Sequence, residues 1–152
     1  MFLIAHRGLL DGPDAIKENH PDTIVSSISK GFDVEIDLNF IDNKAVLGHD
    51  RPQYEVTKEF LKNKKLWIHT KTIDALLYCI EQLSDTNYFY HEHDPCVITS
   101  HGWIWTHPTT QYLTNKSVAV IPETVMSIDQ VKLIRCAGIC SDYVNKLRAD
   151  IL

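Results

Sequence analysis

Residues 32–38 read Phe-Asp-Val-Glu-Ile-Asp-Leu, an alternation of apolar and acidic side chains. Side chains alternate faces along a β-strand, so Asp33, Glu35 and Asp37 share one face and the apolar residues occupy the other. Carboxylates two residues apart on one face repel one another unless a proton or a cation lies between them. A divalent metal that prefers oxygen ligands, such as Mg²⁺ or Ca²⁺, resolves that repulsion. The stretch therefore predicts a strand that carries metal ligands.

Strand-like apolar runs and helical patterns alternate along much of the chain, which favours parallel pairing, and eight such units favour a barrel. The runs typical of strands are 2–6, 32–38, 45–48, 66–70, 88–91, 96–99, 118–121 and 138–141. The helical patterns are 23–30, 58–64, 73–83, 128–136 and 143–152.

The length of the chain limits this architecture. A typical eightfold barrel needs ~250 residues, and this chain has 152. Residues 39–44 and 91–95 leave no room for a helix between the strands they connect. We therefore predict an α/β fold with one domain over residues 1–152, a shortened TIM-like (β/α)8 barrel that lacks some outer helices. An open mixed α/β sheet is the alternative.

Composition and charge exclude several classes of protein. The chain is 44% hydrophobic and 23% charged, which is typical of a globular domain. A net charge of −5 argues against a general nucleic-acid binder. No run approaches the ~20 apolar residues of a membrane span, and no basic residue precedes the apolar start at residues 1–5. We expect a cytoplasmic protein, and the sequence does not indicate its oligomeric state.

Polar side chains cluster where the apolar runs end. In a barrel of this kind, active groups collect at the carboxyl ends of the strands. Parity supports an inward orientation, because His69 and Lys71 share a strand face with Trp67, just as Glu35 and Asp37 share theirs. The residues predicted at this edge are His6, Glu35, Asp37, His49, His69, Lys71, His91, Glu123 and Asp142, the last with a structural role.

A resemblance to a known family rests on the order and spacing of four motifs in residues 3–50. They are Ile-Ala-His-Arg-Gly at 4–8, Glu18-Asn19, Gly-Phe-Asp-Val-Glu-Ile-Asp-Leu at 31–38 and Val-Leu-Gly-His-Asp at 46–50. Together they resemble the opening of the glycerophosphodiester phosphodiesterases. Residues 66–71 are similar to the family's next strand and residues 138–143 to its last, while the middle of the chain is not covered.

The resemblance implies a barrel enzyme, a phosphoric diester hydrolase that uses a divalent metal, usually Mg²⁺ or Ca²⁺. It implies that His6 and His49 act as the acid and the base, and that Glu35 and Asp37 are metal ligands. It assigns Arg7 to the phosphate of the substrate.

One departure from the family lies on the next strand, which usually carries Glu-x-Lys with the Glu as a third metal ligand. Here His69 replaces that Glu, and Lys71 is kept as a phosphate contact. As a ligand, an imidazole favours Mn²⁺ or Zn²⁺ over Ca²⁺. As a non-ligand, His69 leaves Glu35, Asp37 and water to hold Mg²⁺. Both roles stay open, and Mg²⁺ is the expected cofactor, with Ca²⁺, Mn²⁺ or Zn²⁺ as alternatives.

The remaining candidates have supporting roles. Glu18 and Asn19 either orient the metal ligands from outside or arrange the turn before the first helix. His91 belongs to a polar loop that suggests a further ligand. The aromatic loop with Trp103 and Trp105 either walls the substrate pocket or covers a bare barrel bottom. The last candidate, Glu123, is predicted to orient a substrate hydroxyl.

The leading hypothesis is metal-dependent hydrolysis of a small-molecule or lipid-derived phosphodiester with a glycerophosphodiester-like alcohol. The metal, Arg7 and Lys71 neutralise the phosphate, while one histidine deprotonates the nucleophile and the other protonates the departing alkoxide. A second hypothesis is a catalytically degenerate barrel that binds a phosphorylated ligand. A third is a metal-dependent hydrolase of another ester.

Overall fold

The computed structural model describes residues 1–107 and 113–148, which form one mixed sheet of ten strands with short helices. The strands are β1 (Phe2–His6), β2 (Asp33–Ile41), β3 (Lys44–Leu47), β4 (Tyr54–Val56), β5 (Leu66–Thr70), β6 (Asn87–Tyr90), β7 (Cys96–Ile98), β8 (Ile104–Thr106), β9 (Ser117–Val120) and β10 (Gly138–Ser141). The helices are α1 (Pro21–Ser29), α2 (Lys58–Leu61), α3 (Ile73–Gln82), α4 (Ile128–Val131) and α5 (Val144–Arg148), with a 3-10 turn at Pro122–Thr124.

Seven strands run parallel and curl around a shared interior, in the order β6-β5-β2-β1-β10-β9-β8. Beyond β8, the antiparallel β7 ends this part of the sheet. The turn between β7 and β8 then reaches β6, because the Ser100 N–H donates to the Tyr88 carbonyl at 2.8 Å and the Tyr88 N–H donates to the Ser100 hydroxyl at 2.9 Å. The result is a curled half-barrel.

The two faces of the parallel strands are buried differently. Val34, Ile36 and Leu38 point outward and pack in the same core as Ile24 of α1 and Ala75 of α3. The inner face carries a second apolar cluster, which consists of Ile4, Trp67, Phe89, Trp105, Val118 and Cys140. Because both faces are covered, Glu35 and Asp37 of β2 are buried as well.

Each inward column of side chains changes from apolar to polar as its strand reaches its carboxyl end. Since parallel strands share one carboxyl edge, the polar residues of different strands meet there. The pairs are Ile4 and His6 on β1, Trp67 and His69 on β5, Phe89 and His91 at the end of β6, and Cys140 and Asp142 at the end of β10.

The predicted shortened (β/α)8 barrel is wrong, because strands and helices do not alternate. Residues 45–48, expected as a barrel strand, form β3, which pairs antiparallel with the end of β2 across a turn at Asp42-Asn43. Both turn residues have positive φ, 50° and 60°, as a two-residue hairpin turn requires. A connection this short permits only antiparallel pairing, since a parallel crossover needs a dozen or more residues.

A second hairpin replaces the expected sixth parallel strand. The sequence predicts that residues 96–99 join the parallel sheet, but they form β7, which pairs antiparallel with β8. Part of the predicted aromatic loop, residues 104–106, forms β8. The helices expected at 58–64 and 128–136 are shorter in the structure, because α2 and α4 have four residues each. Of the last expected helix, 143–152, residues 144–148 form α5, and residues 149–152 lie outside the described part.

The loop after β3 is fixed against β2 by its glycine. Gly48 has φ +150°, and a Cβ there would lie 2.0 Å from the Arg51 carbonyl oxygen. The Gly48 N–H donates to the Asp37 carbonyl at 3.1 Å, and the Asn39 side chain donates to the Gly48 carbonyl at 2.9 Å. These contacts determine where His49 lies. 

Within residues 1–107 and 113–148, every helix is too short or too polar to cross a bilayer.

Candidate functional site

Three predicted metal ligands lie together at the carboxyl ends of β2 and β5. The strand register places Asp37 beside His69, so their side chains meet on the inner face. His69 Nδ1 lies 3.3 Å from Asp37 Oδ1 and 3.8 Å from Glu35 Oε1. One ligand atom from each residue falls within 4.8 Å of the others. The exposed fractions are 2% for Glu35, 1% for Asp37 and 9% for His69, so the cluster is almost dry.

Asp37 is compensated by groups on both of its oxygens. The Asn19 amide donates to Oδ2 at 2.9 Å, and Arg7 Nε lies 3.1 Å from the same oxygen. The alignment of Arg7 Nε is too poor for a hydrogen bond, so that contact is electrostatic. Lys71 Nζ lies 3.6 Å from Oδ1. Burial opposes ionisation, but the hydrogen bond from His69 and the charges of Arg7 and Lys71 outweigh it, so the pKa of Asp37 is lowered.

The pKa of Glu35 shifts in the opposite direction to that of Asp37. Burial raises the pKa of its carboxyl group, and the adjacent charge of Asp37 raises it further, while His6, His69 and Arg7 offset part of the increase. The Arg7 backbone N–H donates to Oε2 at 3.2 Å. Glu35 is therefore a buried carboxylate whose charge is under-compensated in the protein alone.

The balance of charge at this edge is negative. The carboxylates that contact one another or the same cations are Glu18, Glu35, Asp37 and Asp142. The permanent cations in contact with them are Arg7, which pairs with both Glu18 and Asp37, and Lys71. The excess of carboxylates leaves this edge with an attraction for a cation.

His6 is held by a carboxylate on the last strand. His6 Nδ1 lies 2.8 Å from Asp142 Oδ1, and an ionised Asp142 can only accept, so Nδ1 carries the proton. Nε2 is left as the basic nitrogen, 3.9 Å from Glu35 Oε2. Burial lowers the pKa of His6, but the Asp142 hydrogen bond and the Glu35 charge outweigh it, so the pKa is raised.

Glu123 holds the backbone of Asp142 in place. Its Oε1 accepts the Asp142 backbone N–H at 2.9 Å and the Ser141 hydroxyl at 2.8 Å. Its Oε2 is buried without a hydrogen-bond partner in the described part of the chain. The predicted role toward a substrate hydroxyl stays a prediction, and Asp142, to which we assigned only a structural role, lies in direct contact with His6.

Strained backbone supports the site. Arg7 and Asn19 have φ of 52° and 57°, a region that non-glycine residues seldom adopt, although Asn does so more readily than most. The Asn19 N–H donates to the Arg7 carbonyl at 2.9 Å, which ties the two turns together. The Asn19 side chain also accepts the Asp37 backbone N–H at 2.9 Å. Asn19 thus holds Asp37 from two sides.

Substitution of Asn19 tests this arrangement. We expect Asn19→Ala to lower the free energy of unfolding by about 1.5–3 kcal/mol, because it removes two buried hydrogen bonds, one of them to a carboxylate. Asn19→Gly loses the same bonds but adopts positive φ freely, so it should cost about 1 kcal/mol less. Urea denaturation of both variants measures the effect. Wild-type stability in both would show that Asn19 does not support Asp37.

His69 and His91 stack face to face at the side of the cluster. Their ring centroids are 4.5 Å apart with an interplanar angle of 4°, and Phe89 also stacks on His69, at 5.1 Å. Burial lowers the pKa of His91 to about 4, and the charges of His69 and Lys71 lower it too. His91 also lines a cavity of about 310 Å³ together with Trp105.

His49 pairs with a carboxylate outside the acid cluster. Its Nδ1 is 2.7 Å from Asp50 Oδ1, and it lines a cavity of about 300 Å³ together with Glu18. None of the ion pairs found in the described ranges joins His49 to Glu35 or Asp37. The two histidines that the resemblance pairs therefore have different partners there, Asp142 and Glu35 for His6 and Asp50 for His49.

Trp103 lies at the opposite edge of the sheet. It precedes β8, its ring contacts Phe2 at 5.1 Å, and Lys116 Nζ lies 4.7 Å above it. These neighbours lie at the amino ends of their strands, so Trp103 covers the bottom of the half-barrel, which was one of its two predicted roles. Trp105 is 5% exposed and packs inside against Trp67.

Two comparisons with known proteins found no match for this chain. No family model matches the chain, and no curated protein does either. The resemblance in residues 3–50 therefore stays a prediction, and the functional argument depends on the geometry of the side chains.

Proposed function

We propose that the chain is a metal-dependent phosphodiesterase that acts on a glycerophosphodiester-like substrate. The observation that carries the proposal is the buried group of Glu35, Asp37 and His69 with His6, Arg7 and Lys71 around it. Acids, a histidine and two cations at one strand edge are the parts that this reaction needs. The motif order in residues 3–50 supports the same reading.

The donors present fit a divalent ion. Two carboxylates and an imidazole lie within 4.8 Å of one another, and Glu35 keeps a charge that the protein compensates poorly. A divalent ion bound there supplies positive charge to a phosphate oxygen as charge develops in the reaction. The same ion would satisfy the repulsion between the two acids.

Arg7 and Lys71 are placed to bind the phosphate of the substrate. Both contact Asp37, on opposite oxygens, and their side chains are 18% and 22% exposed. Neither side chain is fully buried, so both stay partly open to solvent beside Asp37. A phosphodiester anion resists attack by a nucleophile, and these cations lower that resistance by neutralising its oxygens.

His6 moves a proton at Nε2. As a base, it takes a proton from water or from a hydroxyl of the substrate's own alcohol, and the resulting oxygen attacks phosphorus while the P–O bond to the leaving alcohol breaks. His49, whose Nδ1 is likewise bound to an aspartate, is the partner that protonates the departing alkoxide. The opposite assignment of the two histidines uses the same atoms.

Asp142 is a positioning residue for His6, and a pH profile tests it. We expect Asp142→Asn to lower the pKa of His6, because a neutral amide oxygen accepts from Nδ1 more weakly than a carboxylate and brings no negative charge, so burial is less opposed. The limb of the rate profile that reports His6 should move to lower pH whether His6 acts as base or acid. Asp74→Asn, an exposed change on α3, is the control. A reduced rate with an unmoved limb would contradict the role.

A phosphate-binding protein without turnover is the second candidate. It is favoured by two observations in the described ranges: no ion pair joins His49 to the acids, and Asp37 is already paired with Arg7 and Lys71. In that case Arg7 and Lys71 would bind the ligand and no second proton donor would be needed.

A turnover assay separates the two candidates. Wild type, His6→Ala and Glu35→Ala are incubated with bis(p-nitrophenyl) phosphate and with a glycerophosphodiester, each with Mg²⁺, Ca²⁺, Mn²⁺ or Zn²⁺. We expect metal-dependent turnover that both substitutions abolish and that Glu81→Gln, an exposed acid on α3, leaves unchanged. Binding without turnover in every metal would overturn the proposal. Faster cleavage of a phosphomonoester would point to a hydrolase of another ester.

A further inference from the structure

The geometry points to a site selective for first-row transition ions, with His69 as the residue that determines the selectivity. Mn²⁺ and Zn²⁺ would be preferred to Mg²⁺ and Ca²⁺. The inference rests on the metal-binding part of the proposed function and not on its reaction. The sequence predicts Mg²⁺, with Mn²⁺ and Zn²⁺ among the alternatives. The inference favours those two alternatives, because the structure brings His69 into the acid cluster.

The distances suit a small ion with mixed nitrogen and oxygen ligands. First-row ions hold such ligands at ~2.0–2.2 Å, so neighbouring ligand atoms lie ~3.0–3.6 Å apart in octahedral or tetrahedral geometry. His69 Nδ1 is 3.3 Å from Asp37 Oδ1 and 3.8 Å from Glu35 Oε1. Those two distances lie within a few tenths of an ångström of this range, and all three ligand atoms fall within 4.8 Å of one another.

The two nitrogens of His69 have different surroundings. Nδ1 lies 3.3 Å from Asp37 Oδ1 and 3.8 Å from Glu35 Oε1. Nε2 is buried and has no hydrogen-bond partner in the described ranges. Nδ1 is therefore the nitrogen placed to share a cation with the two carboxylates.

Stacking fixes the ring in this orientation. The rings of Phe89 and His91 both stack on His69, with interplanar angles of 12° and 4°. Phe89 is also the register partner of His69 on β6. Rotation of the imidazole away from the acids would break both stacks, so Nδ1 stays directed at Asp37 and Glu35.

The chemistry of the donors then selects the ion. Ca²⁺ and Mg²⁺ take oxygen ligands, whereas imidazole nitrogen suits Mn²⁺, Zn²⁺ and related ions. A neutral ring also brings one negative charge fewer than a glutamate would. With Lys71 Nζ 3.6 Å from Asp37 Oδ1, the reduced charge disfavours ions held mainly by electrostatics.

Metal titration by calorimetry tests the selectivity without any assay of activity. Wild-type protein cleared of metal is titrated with Mn²⁺, Mg²⁺ and Ca²⁺. We expect Mn²⁺ to bind at least about tenfold more tightly than Mg²⁺, an ion of similar size that lacks its affinity for nitrogen. His69→Glu should reduce that ratio severalfold and raise the affinity for Ca²⁺. His93→Glu, the same change at an exposed residue beyond β6, should leave the ratio unchanged.

A spectroscopic readout keeps the test independent of affinity. Electron spin-echo spectra of bound Mn²⁺ should show coupling to a ¹⁴N nucleus in wild type and in His93→Glu, and no such coupling in His69→Glu. Equal affinity for Mn²⁺ and Mg²⁺, or Mn²⁺ bound without nitrogen coupling, would overturn the inference. Selective Mn²⁺ binding without phosphodiester turnover would leave the inference standing and contradict the proposed function alone.

Discussion

His6→Asn should lower phosphodiester turnover by about 10²–10⁴-fold at saturating metal, the usual contribution of a positioned acid or base. Asparagine keeps an N–H donor for Asp142, whose Oδ1 lies 2.8 Å from His6 Nδ1, so the fold of this edge is retained. It has no group that takes up a proton near neutral pH. The loss should therefore appear in kcat with little change in KM.

The control for this variant is His101→Asn, a change at an exposed histidine in the turn between β7 and β8, at the amino edge of the sheet. It should retain wild-type turnover. If His6→Asn kept more than about a tenth of the wild-type rate, proton transfer at His6 would not belong to the mechanism.

Glu35 and Asp37 should respond in opposite ways to removal of their charge. With a chelator present, Asp37→Asn should destabilise the protein by about 3–5 kcal/mol, because Lys71 loses its carboxylate partner and Arg7 keeps only the more exposed Glu18. Glu35→Gln should leave the free energy of unfolding equal to or above that of wild type. Its carboxylate is buried and poorly compensated, and the amide oxygen can still accept the Arg7 N–H.

Urea denaturation at neutral pH measures both effects, and pH adds a check of sign. Because folding raises the pKa of Glu35, the wild type loses free energy of unfolding as pH rises through the folded pKa of this carboxyl group. Glu35→Gln has no such group, so its free energy of unfolding should increase relative to that of wild type over the same pH range. Equal losses in the two variants would show that both acids are compensated alike in the protein without an ion.

The sequence predicts the acid cluster well, for a physical reason. Alternation in residues 32–38 determines which side chains share a face, and the pairing of β2 with β5 brings Asp37 beside His69. The apolar partners Val34 and Ile36 determine which face is covered by helices. Periodicity and strand parity are local properties, and they carry over to the folded chain.

The architecture is less accessible, because short apolar runs do not reveal their partners. Residues 96–99 and 104–106 look like a strand and an aromatic loop, yet they pair as a hairpin across a turn with Gly102 at φ +79°. Pairing direction depends on the length of the connection and on the neighbouring strands. An alternation of runs along the chain therefore suggested a barrel that the chain does not form.

Side chains beyond strand ends were the hardest to place. His49 follows β3, an antiparallel strand, and pairs with Asp50. Asp142 contacts His6 because β10 pairs with β1, a contact between opposite ends of the chain. The signal for Asp142 was its position at the end of the last strand, but the identity of its partner required the register.

Calorimetric titration of the chelator-treated protein with Mn²⁺, on wild type and on Glu35→Gln, tests the central claim most directly. We predict one ion per chain in wild type and an affinity reduced by at least about 10–100-fold in Glu35→Gln, a variant expected to be folded. Equal stoichiometry and affinity in the two proteins, or no uptake by wild type, would contradict a cation site at Glu35, Asp37 and His69.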